Sequence, residues 1–92
     1  MLKVDYAELE FAARTLLDQG DIFEECINTL SGVVGGLSDI WKTEICKKYV
    51  SEYNEAKKIL DDVRDLIRDM AEQMQTIASH CSDTDGDIPG QI

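Results

Sequence analysis

Proline and positive charge are both scarce in this sequence. Its 92 residues include one proline, Pro89, so no proline interrupts a helix before the last few residues. Nine Lys and Arg residues stand against 19 Asp and Glu residues, which gives a net charge of −10. A chain this acidic repels phosphate backbones and anionic lipid. The composition therefore argues against nucleic-acid binding and against binding to a membrane surface, and the length suits one small domain.

Cysteine and histidine are too few for a disulfide framework, a zinc site or a nucleophilic active site. The spacings between Cys26, Cys46 and Cys81 fit neither zinc ligands nor a disulfide pattern, so we expect three buried thiols. The only histidine, His80, is adjacent to Cys81. Neighbouring helical residues point about 100° apart, which separates a nucleophile from its base. The sequence therefore predicts no enzyme and no cofactor.

The acidic residues near the end of the chain have the spacing of a calcium-binding loop but lack its anchors. The segment 83–88 reads DTDGDI, with spaced carboxylates around Gly86. When that glycine is aligned with the glycine of a calcium loop, the first and twelfth ligand positions fall on Cys81 and Ile92. Neither side chain is a calcium ligand. We therefore expect no metal site and predict a flexible acidic tail over 83–92.

Apolar residues recur at steps of four and three, the spacing of an amphipathic helix that packs along a partner helix. The first half of the chain has such a stripe at Leu9, Ala13, Leu16, Gly20, Phe23, Ile27, Leu30, Val34, Leu37 and Trp41. The second half has another at Ile45, Tyr49, Tyr53, Ala56, Leu60, Val63, Ile67, Met70, Met74, Ile77 and Cys81. Neither half sustains the period of two that a strand requires. The patterns predict an all-α fold with one helix over about 5–36 and another over about 44–81.

The spacing of apolar residues changes between the two stripes. The steps from Trp41 to Ile45 and from Ile45 to Tyr49 are both four, so the two stripes are not continuous. We interpret the change as a turn over about 37–43 and the fold as an antiparallel hairpin within 1–82. In this interpretation Gly35-Gly36 loosens the end of the first helix and Ser38 or Thr43 caps the second. One uninterrupted helix is the alternative.

The single tryptophan is the largest apolar side chain near this turn. We expect Trp41 to cover the open end of the hairpin, and we therefore expect Trp41→Ala to cost about 3 kcal/mol or more, as large-to-small core substitutions do.

A second apolar stripe on the first helix indicates a partner. A two-helix hairpin buries too little surface for more than a few kcal/mol of core stability. The second stripe is rotated away from the hairpin and consists of Phe11, Ile22, Cys26, Val33 and Ile40. Another helix pair that covered it would make a four-helix bundle. The alternative is a monomer whose surface carries scattered apolar residues.

These residues resemble a known family. An acidic chain of two similar helices with one tryptophan, Trp41, at the bend is similar to the WXG family, the small helical-hairpin substrates of type VII secretion. The resemblance spans nearly the whole chain. It includes the segment 41–53, WKTEICKKYVSEY, in which the tryptophan turn is followed by apolar and aromatic residues.

The sequence departs from the family pattern at two places. Where the family has Trp-any-Gly, this chain has Trp41-Lys42-Thr43, and Thr43 suits a helix cap better than a left-handed turn. The family's export signal is a tyrosine followed four residues later by an acid. Here Cys81 and Asp85 occupy those positions, so the signal is degenerate.

The resemblance implies a non-enzymatic function in type VII secretion. It implies a substrate or co-secreted partner that binds a second copy, a paralogous hairpin or the helical N-terminal domain of an LXG-type toxin. The chain would be cytoplasmic before export and would leave through the type VII machinery, since Met1 to Asp5 do not begin a Sec-type signal peptide. A cytoplasmic coiled-coil adaptor unrelated to secretion is the alternative.

Overall fold

The protein is a helical hairpin. The computed structural model describes residues 4–84 and the side chains of residues 4–79. Helix α1 (Tyr6–Ile40) and helix α2 (Glu44–Thr84) are joined by the three residues 41–43, and residues 4–84 contain no strand. Many contacts join the two helices. The predicted all-α hairpin is confirmed, whereas the pairing of hairpins into a four-helix bundle stays a prediction.

Both helices extend further than the sequence indicated. Helix α1 ends at Ile40, not near 36, and Gly35-Gly36 lies inside it. The helix continues because Leu37 is half-buried and its carbonyl accepts a hydrogen bond from the Trp41 amide at 2.8 Å. The turn is therefore 41–43 and not 37–43. Helix α2 ends at Thr84, so the first two residues of the predicted tail are helical, and residues 85–92 lie outside the described part.

In the half of the hairpin formed by residues 4–20 and 66–84, the helices meet through small residues. Ala13 and Ala71 are fully buried, and Gly20 is buried with them. A Cβ atom added to Gly20 would lie 3.3 Å from Cγ2 of Ile67. Small side chains of this kind let two helix backbones approach each other closely. This half therefore packs without a large buried side chain.

The half formed by residues 21–65 has a partly polar interior. Ile27 is 1% exposed and is one of the two largest fully buried side chains. The Tyr53 hydroxyl donates to the Ile27 carbonyl at 3.4 Å and shares a 2.8 Å hydrogen bond with the Ser31 hydroxyl. Arg64 reaches across to Glu24 at 3.8 Å. Polar links of this kind fix the register of the two helices and leave little apolar area inside.

The inward-facing residues of α2 differ from the predicted stripe. At most positions the residue that faces α1 is the one directly after the predicted residue. We call the following buried and half-buried positions of α2 the inner seam: Cys46, Val50, Tyr53, Lys57, Leu60, Arg64, Ile67, Ala71, Met74 and Ala78. Asp61, Arg68 and Gln75 are also half-buried, and each directly follows a member of the seam. The steps along the inner seam alternate strictly between four and three. The predicted stripe shares only Tyr53, Leu60, Ile67 and Met74 with it. Its other described members are all exposed: Ile45, Tyr49, Ala56, Val63, Met70 and Ile77.

The physical reason for this correction is the size of the residues that fit between the helices. Close approach favours small side chains such as Cys46, Ala71 and Ala78 on the inside, and it leaves larger apolar side chains outside. Lys57 and Arg64 complete the inner seam because their aliphatic stems pack while their charged ends reach solvent or a carboxylate. The predicted stripe of the first half is buried or half-buried except at Leu30 on α1 and Trp41 in the turn, which are exposed.

Candidate partner-binding face

One side of the hairpin between residues 21 and 65 is apolar. In an antiparallel helix pair, the residue that precedes each inward-facing residue falls on the same side of the pair in both helices. In this part of the chain most of those positions carry exposed apolar residues, with Glu52 the charged exception, and Ile40 continues the series at the end of α1. We call these apolar residues the apolar face: Ile22, Cys26, Val33 and Ile40 of α1 with Ile45, Tyr49, Ile59 and Val63 of α2. Both helices therefore contribute to one surface.

The apolar face is strongly exposed, and the opposite side of the same part of the hairpin is polar. Ile40 is 82% exposed, Ile59 66% and Val33 61%. The residues that follow the inward-facing positions include Asn28, Lys47, Ser51, Asn54 and Lys58. A contiguous apolar surface opposite a polar one is typical of a protein interaction site. Along α2 the equivalent positions beyond residue 65 are also apolar and exposed at Leu66, Met70 and Ile77.

The residues predicted to bind a partner are all on the surface. Phe11, Ile22, Cys26, Val33 and Ile40 are exposed, and four of them belong to the apolar face. Partner binding by these residues stays a prediction. The sequence interpretation missed the α2 half of the surface, because it assigned Ile45, Tyr49 and Val63 to the inside of the hairpin. Tyr49, which we expected in the core, is about half exposed.

Trp41 lies in the turn, and its role in covering the end of the hairpin stays a prediction. Its side chain is 39% exposed and stacks on Tyr49, with 6.2 Å between the ring centroids and 27° between the planes. The tryptophan therefore extends the apolar face toward the turn. Because part of the indole is in contact with solvent, we expect Trp41→Ala to lower the free energy of unfolding by less than the loss of about 3 kcal/mol expected for a fully buried tryptophan.

Thr43 begins the second helix. Its hydroxyl oxygen accepts a hydrogen bond from the Cys46 amide at 3.2 Å, the geometry of a helix N-cap. Glu44 follows in the first turn of α2 and pairs with Lys47 at 3.3 Å. Of the two candidate caps in the sequence, Thr43 occupies the position, whereas Ser38 lies inside α1. Threonine at this place therefore supplies a cap where the family pattern has glycine.

We expect Thr43→Ala to lower the free energy of unfolding by about 1 kcal/mol, because the Cys46 amide loses its acceptor. For a chain of this size that corresponds to a decrease in Tm of about 4–8 °C, measured by circular dichroism. Thr43→Ser keeps the acceptor and is the control. Equal losses for alanine and serine would contradict the capping role.

The two described cysteines have different environments. Cys46 is buried at 1% exposed, as expected, but Cys26 is exposed and belongs to the apolar face. The expectation of a buried Cys26 is wrong because this residue precedes the inward-facing Ile27 on the helix. Cys81 lies in the last turn of α2 with its side chain outside the described part, and Asp85 lies outside the described residues altogether.

The described part of the chain has an open groove near the turn but no cluster of metal-ligating side chains. Within residues 4–79 no three His, Cys, Asp or Glu side chains are grouped to hold a metal ion. An open groove of about 350 Å³ near the turn is lined by residues that include Ser38, Cys46, Lys47 and Lys58, on the polar side of the hairpin. Neither helix, over the part that the structure describes, has an apolar stretch long enough to cross a membrane.

Comparison with known proteins identifies the family. Searches of the curated proteins and of the solved structures find no match. The family model WXG100, described as proteins of 100 residues with WXG, matches residues 1–86. This family consists of small helical proteins associated with type VII secretion, which are not known enzymes and which typically form dimers with helical partners. With nearly its whole length matched, the chain belongs to the WXG100 family.

Proposed function

We propose that this protein is a non-enzymatic substrate or co-secreted partner of a type VII secretion system. In this proposal it binds a second helical hairpin, or the helical N-terminal domain of an LXG-type toxin, and the two leave the cell as a folded bundle. Membership of the WXG100 family supports the secretion route. The apolar face supports the binding role and is the observation that carries the proposal.

The composition of the hairpin interior also supports a partner. Among the side chains of residues 4–79, Ile27 and Cys46 are the only fully buried ones of appreciable size, and the remaining buried hydrophobic residues are Ala13, Ala71 and Ala78. The inner seam of α2 also includes charged Lys57 and Arg64. An interior this small supplies at most a few kcal/mol. Covering the apolar face with a partner would stabilise the fold, because binding to the folded state alone raises apparent stability.

The proposal assigns the export signal to the partner. Cys81 replaces the tyrosine of the family's signal and is too small to fill an aromatic pocket, although Asp85 retains the acid. Export of this chain then depends on association through the apolar face. We therefore expect truncation after Ser79 to leave co-export unchanged.

The experiment compares culture supernatants of the native cell with those of a strain whose type VII machinery is deleted. We expect the tagged chain in the supernatant of the first strain and only in the cell lysate of the second. The truncated chain should reach the supernatant in the same amount as the full-length chain. A cytoplasmic protein probed in the same samples controls for lysis.

Two results would contradict the proposal. Retention of the chain in cells with intact machinery, bound to a cytoplasmic protein, would favour the adaptor alternative. Strong export in a strain that lacks every candidate partner would place the export signal on this chain.

A further inference from the structure

Both edges of the apolar face are acidic. Between residues 21 and 65, positions 25, 32 and 39 of α1 and 48, 55 and 62 of α2 recur every seven residues and border the face on its outer edges. Four carboxylates stand there, which we call the acidic rim: Glu25 and Asp39 on α1 with Glu55 and Asp62 on α2. All four are exposed, and none has an ion pair among the described residues. Lys48 is the one cation at an equivalent position.

The acidic rim constrains what can dock on the apolar face. When two hairpins pack face to face about a two-fold axis, the outer edge of each helix lies beside an outer edge of the other hairpin. Two copies of this chain would therefore bring together outer edges that carry four carboxylates and one lysine each, so most of the charges that meet are negative. Flanking charges of this kind set partner choice between helices, and like charges across an interface oppose association.

A partner with positive charges at its edges would fit against the acidic rim in the same packing geometry. A hairpin with lysine or arginine at the edges of its own apolar face would place cations beside Glu25, Asp39, Glu55 and Asp62. Such pairs at the exposed rim of an interface mainly affect specificity and the rate of association, while the apolar residues supply affinity. The acidic rim would therefore determine which partner binds, and the apolar face would supply most of the affinity.

We propose that the apolar face takes a different helical hairpin with a basic rim and that the acidic rim disfavours a second copy of this chain. The inference rests on the proposed function, in that it requires the apolar face to be the docking surface. It adds the chemistry of the partner.

The test uses this chain as its own probe. Fluorescently labelled wild-type chain is titrated with unlabelled wild type, with a rim variant, Glu55→Lys/Asp62→Lys, and with a control, Ser51→Lys/Asn54→Lys/Glu72→Lys. Both variants raise the net charge by the same amount, but the control changes only exposed residues on the polar side of α2. Fluorescence anisotropy measures each Kd at low salt and again in 1 M NaCl.

We expect the rim variant to bind the labelled chain about tenfold or more tightly than wild type does at low salt. The control should bind as wild type does. In 1 M NaCl, where the screening length falls to about 3 Å, the difference should disappear.

The inference would be overturned if wild type or the control bound the labelled chain with the same Kd as the rim variant. It would also be overturned if the tighter binding of the rim variant persisted in 1 M NaCl, or if the rim variant showed no detectable binding. A further titration with Val33→Lys added to the rim variant separates the two proposals. If that substitution abolishes binding, the apolar face is the docking surface whatever the rim does. If binding survives it, the docking role in the proposed function fails as well.

Discussion

The double substitution Val33→Lys/Ile59→Lys is expected to abolish partner binding and leave the free hairpin folded. Both side chains are more than half exposed in the hairpin, so lysine at these positions stays in solvent there. In a complex that covers the apolar face, two ammonium groups would be buried without partners. Each loss at the centre of an interface costs about 2 kcal/mol or more, so we expect affinity to fall by at least about a hundredfold.

The measurement is size-exclusion chromatography with light scattering of the tagged chain purified from its native cell. Wild type should elute as a complex, and the double variant should elute at the mass of one hairpin with an unchanged helical circular dichroism spectrum. Asn28→Lys/Ser51→Lys adds the same charge on the polar side and is the matched control. A complex that survives the apolar-face substitutions but not the control would place the partner on the other side of the hairpin.

Ile27→Ala is expected to have the largest effect on stability. Ile27 is 1% exposed, and its loss leaves a cavity between the helices of the half that contains it. Substitutions of this kind cost about 2–5 kcal/mol, which is as much as the interior of a small hairpin supplies. We therefore expect the free variant to lose most of its helical circular dichroism signal at 25 °C.

Ile59→Ala is the matched control for that substitution, because it removes the same atoms from a side chain that is 66% exposed. It should change the stability of the free chain by less than about 1 kcal/mol. The two isoleucines thus separate folding from binding: the first variant fails to fold, and the second folds but binds less well. Equal destabilisation by both would contradict the assignment of the inside and outside of the hairpin.

Much of the fold could be predicted from the sequence because periodicity determines where a helix faces. On α1 the steps of four and three from Leu9 to Leu37 predicted the inner side of the helix, and the stripe of Ile22, Val33 and Ile40 predicted an exposed apolar surface. On α2 two apolar stripes run side by side, one residue apart. The more hydrophobic of the two, with Ile45, Val63 and Met70, is the exposed one, since small residues are favoured where helices approach closely.

The position of the turn also could not be predicted from local sequence alone. Gly35-Gly36 predicted an early end to α1, but packing of Leu37 extends the helix to Ile40, because tertiary contacts outweigh a propensity cost of about 1 kcal/mol per glycine. The cap at Thr43 was among the candidates, since the side-chain chemistry of an N-cap is local. The stacking of Trp41 on Tyr49 depends on where the turn places both rings, which no local pattern specifies.

The chain contains its own probe of the central claim, that the apolar face is where a helical partner binds. Cys26 is exposed on the apolar face and Cys46 is buried in the inner seam, so alkylation in a Cys81→Ser background reports on the two sites separately. Mass spectrometry would follow iodoacetamide labelling of each thiol in the free chain and in the complex purified from native cells. The account predicts rapid labelling of Cys26 in the free chain, protection of Cys26 in the complex, and slow labelling of Cys46 in both. Equally rapid labelling of Cys26 in the free chain and in the complex would contradict it.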